Sequence, residues 1–267
     1  SNQGLDIQGT LDAYKCTFTS DQASPSKGDW SEIHIGSDSD DGSASFYGCL
    51  IEYGGHNNVS DDYAMVVVER GEVDFQGNCE VSESFNAGII TGINGTVHLF
   101  NTVISNNSRP LVYAGPGAVI LHEGSYLQGN TEDVIYINFS ENTNTFVLDT
   151  AGVPYEFAGI YTVGNGGTLQ IDSGNVVRMA SSMNIRGGII NAYHTTFTST
   201  DSPQSKGDWD EIAVGSASVS GEANFWGCTI EYGGHSSISE SYAMVMVNRG
   251  TASFMDGSVV TKSNNAG

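Results

Sequence analysis

The chain contains most of one sequence twice, and this repeat limits what it can fold into. Residues 11–88 align without a gap with residues 190–267 at an offset of 179, and 41 of the 78 positions are identical. The clearest shared stretch is Ile51-Glu52-Tyr53-Gly54-Gly55-His56, which returns as Ile230-Glu231-Tyr232-Gly233-Gly234-His235. Because the chain holds one full unit and the first part of a second, we expect it to belong to a longer array.

A shorter period runs inside each unit. Segments that alternate apolar and polar residues follow glycines at about 23-residue spacing, which is a solenoid period; examples are Gly71-Glu72-Val73-Asp74-Phe75 and Gly95-Thr96-Val97-His98-Leu99. Alternation with period two predicts half-buried β-strands, and capped amphipathic helices are nearly absent. Stacked coils would align similar side chains into inward ladders. The two expected ladders are Cys79, Thr102 and Ser125, and Val81, Ile104 and Leu127.

Several motifs resemble the pectate-lyase-like class, and most closely its secreted repeat proteins that lack the lyase active site. They are Gly167-Thr168-Leu169-Gln170-Ile171-Asp172-Ser173-Gly174, Thr17-Phe18-Thr19-Ser20, Gly28-Asp29-Trp30 and Val153-Pro154-Tyr155. In that class a second glycine pair usually follows Gly-Asp-Trp, whereas here Ser31-Glu32 and Asp210-Glu211 stand there. The resemblance implies an all-β chain in which residues 1–267 form a single right-handed parallel β-helix solenoid of roughly ten coils. It does not imply one function, because the architecture serves enzymes, adhesins and inert stalks alike.

Charge excludes several kinds of partner. Acidic residues outnumber basic ones 31 to 9, which gives a net charge of −22. Such a surface has no basic footprint for nucleic acid or for an anionic membrane surface. No apolar run approaches the ~18 residues of a membrane helix, so we expect no membrane insertion. A carboxylate-rich surface that takes up cations suits an extracellular or cell-surface location.

The strongest acid–base candidates lie around the repeated glycine turn. His56 follows that turn and is expected to approach Glu52, and His235 to approach Glu231, so that each carboxylate and imidazole could exchange a proton. Glycoside hydrolysis needs a second carboxyl group, and the preceding coil offers Glu32 and, in the second copy, Glu211. The alternative is a turn whose glycines supply positive φ, with a solvated histidine at its edge.

A sugar-binding surface is the second candidate. Asp29 and Trp30 in the first copy, and Asp208 and Trp209 in the second, would place an indole beside a carboxylate, and the ring could stack on a sugar. His56 and His235 would complete these ligand sites. In the alternative interpretation, the tryptophan covers the end of a coil and the aspartate bonds the turn backbone.

Metal binding is the third candidate. Asp38, Asp40 and Asp41 form an acidic loop that could hold calcium, although it lacks EF-hand spacing and its counterpart in the second copy has no acids. Calcium is the only cofactor we consider. No C-x-x-C pair exists, so zinc is not expected. Replacement by small hydroxyl residues between the copies predicts inward free thiols at four positions: Cys16, Cys49, Cys79 and Cys228.

Two functions follow from these patterns. The first is a non-catalytic structural or adhesive segment of a long repetitive extracellular or cell-surface protein, whose expected partners are glycans or other cell-surface polymers bound through many weak sites. The alternative is a carbohydrate-binding or polysaccharide-degrading β-helix, either a lyase or a glycoside hydrolase. Because terminal coils of solenoids need caps, we also expect end-to-end self-association.

Overall fold

The computed structural model describes residues 3–239 and 241–267. Within these residues the secondary structure consists of strands without helices, which confirms the predicted all-β class. Accordingly, no helix there is long and apolar enough to cross a membrane. The chain divides into two compact units, Ser1–Asn138 and Phe139–Gly267. Each unit is described on its own.

The first unit contains thirteen strands among its described residues. Most are short, and two of them, β7 and β9, run for 13 residues each. The strands are β1 (Leu5–Ile7), β2 (Thr10–Tyr14), β3 (Thr17–Phe18), β4 (Ile33–Ile35), β5 (Gly42–Tyr47), β6 (Leu50–Glu52), β7 (Ala64–Gln76), β8 (Glu80–Ser82), β9 (Ala87–Leu99), β10 (Val103–Ser105), β11 (Leu111–Tyr113), β12 (Ala118–Leu121) and β13 (Ile135–Ile137).

These strands line up in three parallel columns. One column runs through β1, β4, β7, β9, β11 and β13. A second contains β2, β5, the later parts of β7 and β9, and β12. The third contains β3, β6, β8 and β10. Parallel pairing between segments far apart in the chain is the arrangement that the predicted coils require.

Alternation of side chains explains why these segments are strands. In β7, Val73 and Phe75 are fully buried, while Glu72 and Asp74, which alternate with them, point outward. The predicted apolar ladder is confirmed: Ile104 pairs with Val81, and both are fully buried, as is Leu127 to within 3%. Stacked apolar side chains close each coil against its neighbours and hold the columns together.

The prediction of inward thiols is confirmed for three cysteines, Cys49, Cys79 and Cys228, and wrong for the fourth. In the predicted ladder of Cys79, Thr102 and Ser125, the first two are buried and Ser125 is half-buried. Cys16 is exposed. It directly precedes β3, which is the edge strand of its sheet, so a covering strand lies on one side only.

The second unit contains fifteen strands among its described residues. They are β14 (Glu141–Asn142), β15 (Thr145–Leu148), β16 (Tyr155–Phe157), β17 (Tyr161–Val163), β18 (Thr168–Ile171), β19 (Val176–Met179), β20 (Met183–Ile185), β21 (Ile189–Tyr193), β22 (Thr196–Ser199), β23 (Ile212–Val214), β24 (Gly221–Trp226), β25 (Thr229–Glu231), β26 (Val245–Val247), β27 (Gly250–Met255) and β28 (Val259–Thr261). Every third strand joins the same parallel column: β14, β17, β20, β23 and β26 form one, β15, β18, β21, β24 and β27 another, and β16, β19, β22, β25 and β28 the third.

Local structure follows the sequence repeat. At the offset of 179, strands β4, β5, β6 and β8 of the first unit have the same bounds as β23, β24, β25 and β28 of the second. Cys228 in the second unit is buried, as its counterpart Cys49 is in the first. The two copies can therefore be compared residue by residue wherever a side chain has a functional interpretation.

Candidate functional site

The repeated Gly-Gly turn is built around a tryptophan in both copies. The indole Nε1 of Trp30 donates to the backbone oxygen of Glu52 at 2.9 Å, and Trp209 donates to Glu231 over the same distance. A Cβ atom on Gly54 would lie 2.8 Å from the Trp30 ring, and one on Gly233 would lie 2.6 Å from that of Trp209. Only glycine lets the turn approach the indole this closely.

This packing decides whether the tryptophan rings are open to a sugar, as the predicted sugar-binding surface requires. Trp209 is 1% exposed, so neither face of its ring is open to a sugar. Trp30 is half-buried in the equivalent position and makes the same hydrogen bond. The geometry supports the alternative interpretation, in which each indole covers a coil, and it does not support stacking on a glycan at Trp209.

The aspartates next to these tryptophans hold the preceding loop. Asp29 Oδ2 accepts hydrogen bonds from Ser20 Oγ at 2.6 Å and from the backbone nitrogen of Ser26 at 2.8 Å. The bonds from Ser20 and then Ser26 lower the pKa of Asp29 below its usual value. Asp208 accepts from the backbone nitrogen of Ser205 at 2.6 Å. Both aspartates therefore act on the turn itself, as the alternative interpretation predicted.

The histidine after the turn approaches a different carboxylate from the one predicted. His56 Nε2 lies 2.8 Å from Glu32 Oε2, and its ring stacks on Tyr63 with centroids 4.2 Å apart. The second copy repeats the arrangement more loosely: His235 Nε2 is 3.4 Å from Glu211 and its ring stacks on Tyr242 at 4.1 Å. The backbone explains the difference, because His56 itself has a φ of 58° and turns back toward the preceding coil.

The expected pairing of Glu52 with His56 is therefore wrong, because His56 pairs with Glu32. Glu52 Oε1 accepts a hydrogen bond from Thr19 Oγ1 at 2.9 Å. In the second copy, Glu231 Oε2 lies 2.8 Å from Lys262 Nζ. Each of these predicted catalytic carboxylates is engaged by a neighbouring side chain.

Glu32 is shared between two imidazoles in the first copy. Its Oε1 lies 3.2 Å from His34 Nδ1, and His34 Nε2 lies 2.9 Å from Glu69 Oε2. The hydrogen bond to Glu32 is the main reason why the pKa of His34 rises to about 9. Partial burial alone would raise the pKa of Glu32, but the bonds from His34 and His56 outweigh it and lower that pKa.

This cluster is unsuited to glycoside hydrolysis and is specific to one copy. A general acid must hold a proton near neutral pH, whereas Glu32 is kept ionised by its two histidines. At the positions of His34 and Glu69 the second copy has Ala213 and Asn248. Of the predicted pair of acids, Glu32 is thus part of a hydrogen-bonded network in the first copy that does not include Glu52, and half of that network is missing from the second copy.

The acidic loop predicted to bind calcium does not gather its carboxylates. Asp38, Asp40 and Asp41 are exposed. Asp40 accepts a hydrogen bond from Ser39 Oγ at 2.8 Å, and Asp41 lies 3.8 Å from the guanidinium of Arg70. Across residues 3–239 and 241–267, the one group of three or more acidic, histidine or cysteine donors that converges lies elsewhere.

That group consists of Glu72, Asp74 and His98. One ligand atom from each lies within 4.8 Å of the other two, and His98 Nε2 is 3.1 Å from Glu72 Oε1. Both acids point outward from β7, and His98 faces Asp74 from the adjacent strand β9. The alternation of both strands is visible in the sequence, but the 23-residue period does not give the register that makes the three residues neighbours; alignment of Gly71 with Gly95 would have given it.

Two stacked aromatic pairs on the outward faces of the strands were also not predicted from the sequence. Tyr14 and Tyr47 stack with centroids 5.2 Å apart, and their counterparts Tyr193 and Trp226 stack at 4.6 Å. Tyr14 is 64% exposed and Tyr47 is 44% exposed. Each pair joins outward residues at the ends of neighbouring parallel strands, so a search for aromatics in register would have found them.

No family model, curated protein or solved structure matches this chain. The architecture defines the class of this protein: it is an all-β protein whose described strands form parallel sheets. Both copies share the tryptophan contacts of the turn and the pairing of its histidine with a glutamate, and they differ at other ionisable positions such as His34 and Glu69.

Proposed function

We propose that this chain is a non-catalytic structural segment of a long repetitive protein at the cell surface or outside the cell. In this proposal, its parallel sheets belong to one right-handed β-helix of roughly ten coils, of the pectate-lyase-like kind that lacks a lyase site. A solenoid of this type extends by adding coils, and each coil is stabilised by its neighbours. Such a segment spaces or displays other parts of a surface protein.

One observation carries the proposal. Between the two copies, the tryptophans and glycines that hold the turns stay the same, as does the pairing of the turn histidine with a glutamate, whereas several other ionisable side chains change. The tryptophan bond to the glutamate carbonyl has the same length in both copies. By contrast, His34 becomes Ala213, Glu72 becomes Thr251 and Asp74 becomes Ser253. A repeat whose purpose is a scaffold must keep the first set and is free to vary the second.

Charge supports the proposed location. With a net charge of −22, the surface repels anionic polymers and remains soluble at high local concentration. Polyuronate substrates of lyases are anions, so they would need bridging cations to approach. This property suits a segment that stands away from neighbouring surfaces better than it suits an enzyme that processes acidic glycans.

The proposal is tested with a panel of neutral and anionic polysaccharides, each with and without calcium. Products are scored for new reducing ends and for unsaturated sugars, and the scaffold proposal expects neither. Turnover by the wild-type chain that disappears in Glu52→Gln plus Glu231→Gln would overturn it. Glu222→Gln removes an exposed carboxylate outside these positions and serves as the matched control.

A second candidate function is glycan adhesion, and the stacked aromatic pairs favour it. Tyr14 with Tyr47, and Tyr193 with Trp226, present aromatic surface at equivalent places in both copies. Two weak sites on one chain multiply in a longer array through avidity. Binding of immobilised glycans that is lost in Tyr47→Ala plus Trp226→Ala would support adhesion. The control is Tyr126→Ala, which removes an exposed tyrosine outside both pairs.

A further inference from the structure

The group formed by Glu72, Asp74 and His98 is held by a rigid part of the first unit. Val73 and Phe75 in β7 are fully buried, and so are Val97 and Leu99 in β9. Because side chains alternate along a strand, these anchors fix the intervening residues on the opposite, outward face. Asp74 pairs directly with His98, and Glu72 lies two residues before Asp74 on the same face. The three donors thus need no loop to bring them together.

The imidazole of His98 is also oriented by its neighbours. Its ring lies nearly parallel to those of Phe100 and His122, with centroid distances of 6.2 Å and 5.8 Å. The side chain of His98 is 20% exposed, against 62% for Glu72. Stacking restricts the ring, and its Nε2 faces Glu72 Oε1 at 3.1 Å, so the nitrogen and the carboxylate lie where they could share one ion.

Charge at this place is not neutralised by the protein. Within the described part of the chain, neither Glu72 nor Asp74 forms an ion pair with lysine or arginine, and the ion pair of Glu72 is with His98. Two carboxylates and one imidazole therefore face the solvent together. Their mutual separations within 4.8 Å contract to the ~3.3 Å between ligands of a tetrahedral zinc ion by small side-chain rotations.

We propose that Glu72, Asp74 and His98 form a binding site for a divalent transition-metal ion of the zinc class. Imidazole nitrogen suits zinc and its neighbours, whereas calcium prefers six to eight oxygen ligands, so His98 argues against calcium here. Three protein ligands leave at least one coordination position for water or for an external ligand. The sequence predicts no zinc because it has no C-x-x-C pair. This site needs no such pair, since its ligands are two carboxylates and an imidazole.

The second copy supplies a natural test for the ligand set. Its residues at the positions of Glu72 and Asp74 are Thr251 and Ser253, which lie in β27, the counterpart of the later part of β7. Replacing Glu72 by Thr and Asp74 by Ser therefore installs side chains that this strand already accommodates in the other copy. The double variant removes two carboxylates with little risk to the fold.

The control removes the same amount of charge elsewhere. Asp38→Ala plus Asp41→Ser also copies the second unit, and it takes two carboxylates from the loop first considered for calcium. Both double variants change the net charge by the same amount. A difference in metal affinity between them therefore reports on the ligand set and not on general attraction of cations to an acidic chain.

The experiment is an isothermal calorimetric titration of each chain with Zn²⁺ in buffer freed of other metal ions. We expect about one tight site per wild-type chain, and an affinity lower by more than about tenfold in Glu72→Thr plus Asp74→Ser, because even losses beyond the ligand shell cost ~10–100-fold. The Asp38→Ala plus Asp41→Ser control should bind as the wild type does. Equal affinity in the wild type and the Glu72→Thr plus Asp74→Ser variant would overturn the proposal, as would loss of binding in the control alone.

Histidine NMR provides a second readout that does not depend on the double variants. The ring signals of His98, assigned with His98→Gln, should shift first as Zn²⁺ is added. His34, His56 and His235 also lie beside carboxylates and are the competing histidines. If their signals shift at lower zinc concentrations than those of His98, the site has been placed wrongly.

Discussion

Replacing His34 by alanine should destabilise the chain in a pH-dependent way. His34 lies between Glu32 and Glu69, at 3.2 Å and 2.9 Å, and these bonds raise its pKa from 6.5 to about 9. A histidine with a raised pKa contributes stability that is fully present below its unfolded pKa and is lost as the pH rises through its folded pKa. The contribution should therefore be complete at pH 6 and should disappear between pH 6.5 and about 9.

The size of the effect follows from the same pKa values. At about 1.36 kcal/mol per pKa unit, the rise from 6.5 to about 9 corresponds to an upper bound of about 3 kcal/mol. The side chain of His34 is 29% exposed, so solvent screening reduces this bound. We expect the free energy of unfolding to fall by about 1–2 kcal/mol more at pH 6 than at pH 10 in His34→Ala.

Urea unfolding at pH 6 and pH 10, followed by tryptophan fluorescence, measures this difference. Comparing His34→Ala with the wild type at each pH removes the titration of all groups that the two chains share. Alanine also removes packing contacts, but that loss is the same at both pH values. A destabilisation that does not change between pH 6 and pH 10 would refute the reasoning.

Glu69→Asn separates the two carboxylates and copies the second unit, which has Asn248 at this position. In this variant His34 keeps Glu32, whose hydrogen bond makes the largest contribution to its raised pKa. Histidine NMR should therefore find a pKa for His34 between 6.5 and the wild-type value. An unchanged pKa would show that Glu69 does not contribute.

Three further predictions concern packing and sheet edges. Cys16 should react quickly with a bulky maleimide, whereas the buried Cys49, Cys79 and Cys228 should react only after unfolding, and burial also raises the pKa of the Cys79 and Cys228 thiols; rapid native labelling of a buried thiol would contradict this. Ile51→Ala should lower the free energy of unfolding by ~2–5 kcal/mol, clearly more than Cys49→Ser, and equal losses would count against the inward ladder. Phe254, 43% exposed on edge strand β27, should promote self-association, so Phe254→Lys should lower the light scattering of concentrated samples; no change would exclude this edge.

The sequence predicts the strands and much of their stacking because both depend on alternation. Val81 and Ile104 are 23 residues apart, and they pair as that period requires. Side chains of similar size and polarity in successive coils must share the interior, so a pattern of apolar and small residues specifies which positions face inward. No such rule governs the exposed ends, which is why Cys16 was assigned to the interior and lies outside.

A shift in strand register explains why the group of Glu72, Asp74 and His98 was not predicted. The register between β7 and β9 shifts between Val68 and Arg70, so Val66 pairs with Ile89 whereas Asp74 pairs with His98. A uniform period of 23 would place His98 opposite Phe75, which faces the interior. One irregularity in the strand therefore decides whether a histidine meets an aspartate. The period of 23 hides it, although Gly71 and Gly95, which begin the two segments, are 24 residues apart and pair with each other.

The backbone conformation of the turn at residues 53–56 likewise decides a contact that strand alternation does not predict, namely the carboxylate that His56 approaches. The backbone of His56 adopts a positive φ without being glycine, and its imidazole then reaches Glu32 instead of Glu52. The tryptophan was predicted correctly only in the alternative interpretation, because the space that buries it is created by the absent side chain of Gly54 or Gly233. Contacts that depend on turn geometry need coordinates, whereas contacts that depend on strand alternation do not.

We propose that parallel coils of one hand form this scaffold, and a crystal structure that traces the path of the coils would decide it. We expect right-handed coils in which Ile33, Val66, Ile89, Leu111 and Ile135 form successive interior rungs of one column. Left-handed coils, or antiparallel pairing between any two of these rungs, would contradict it.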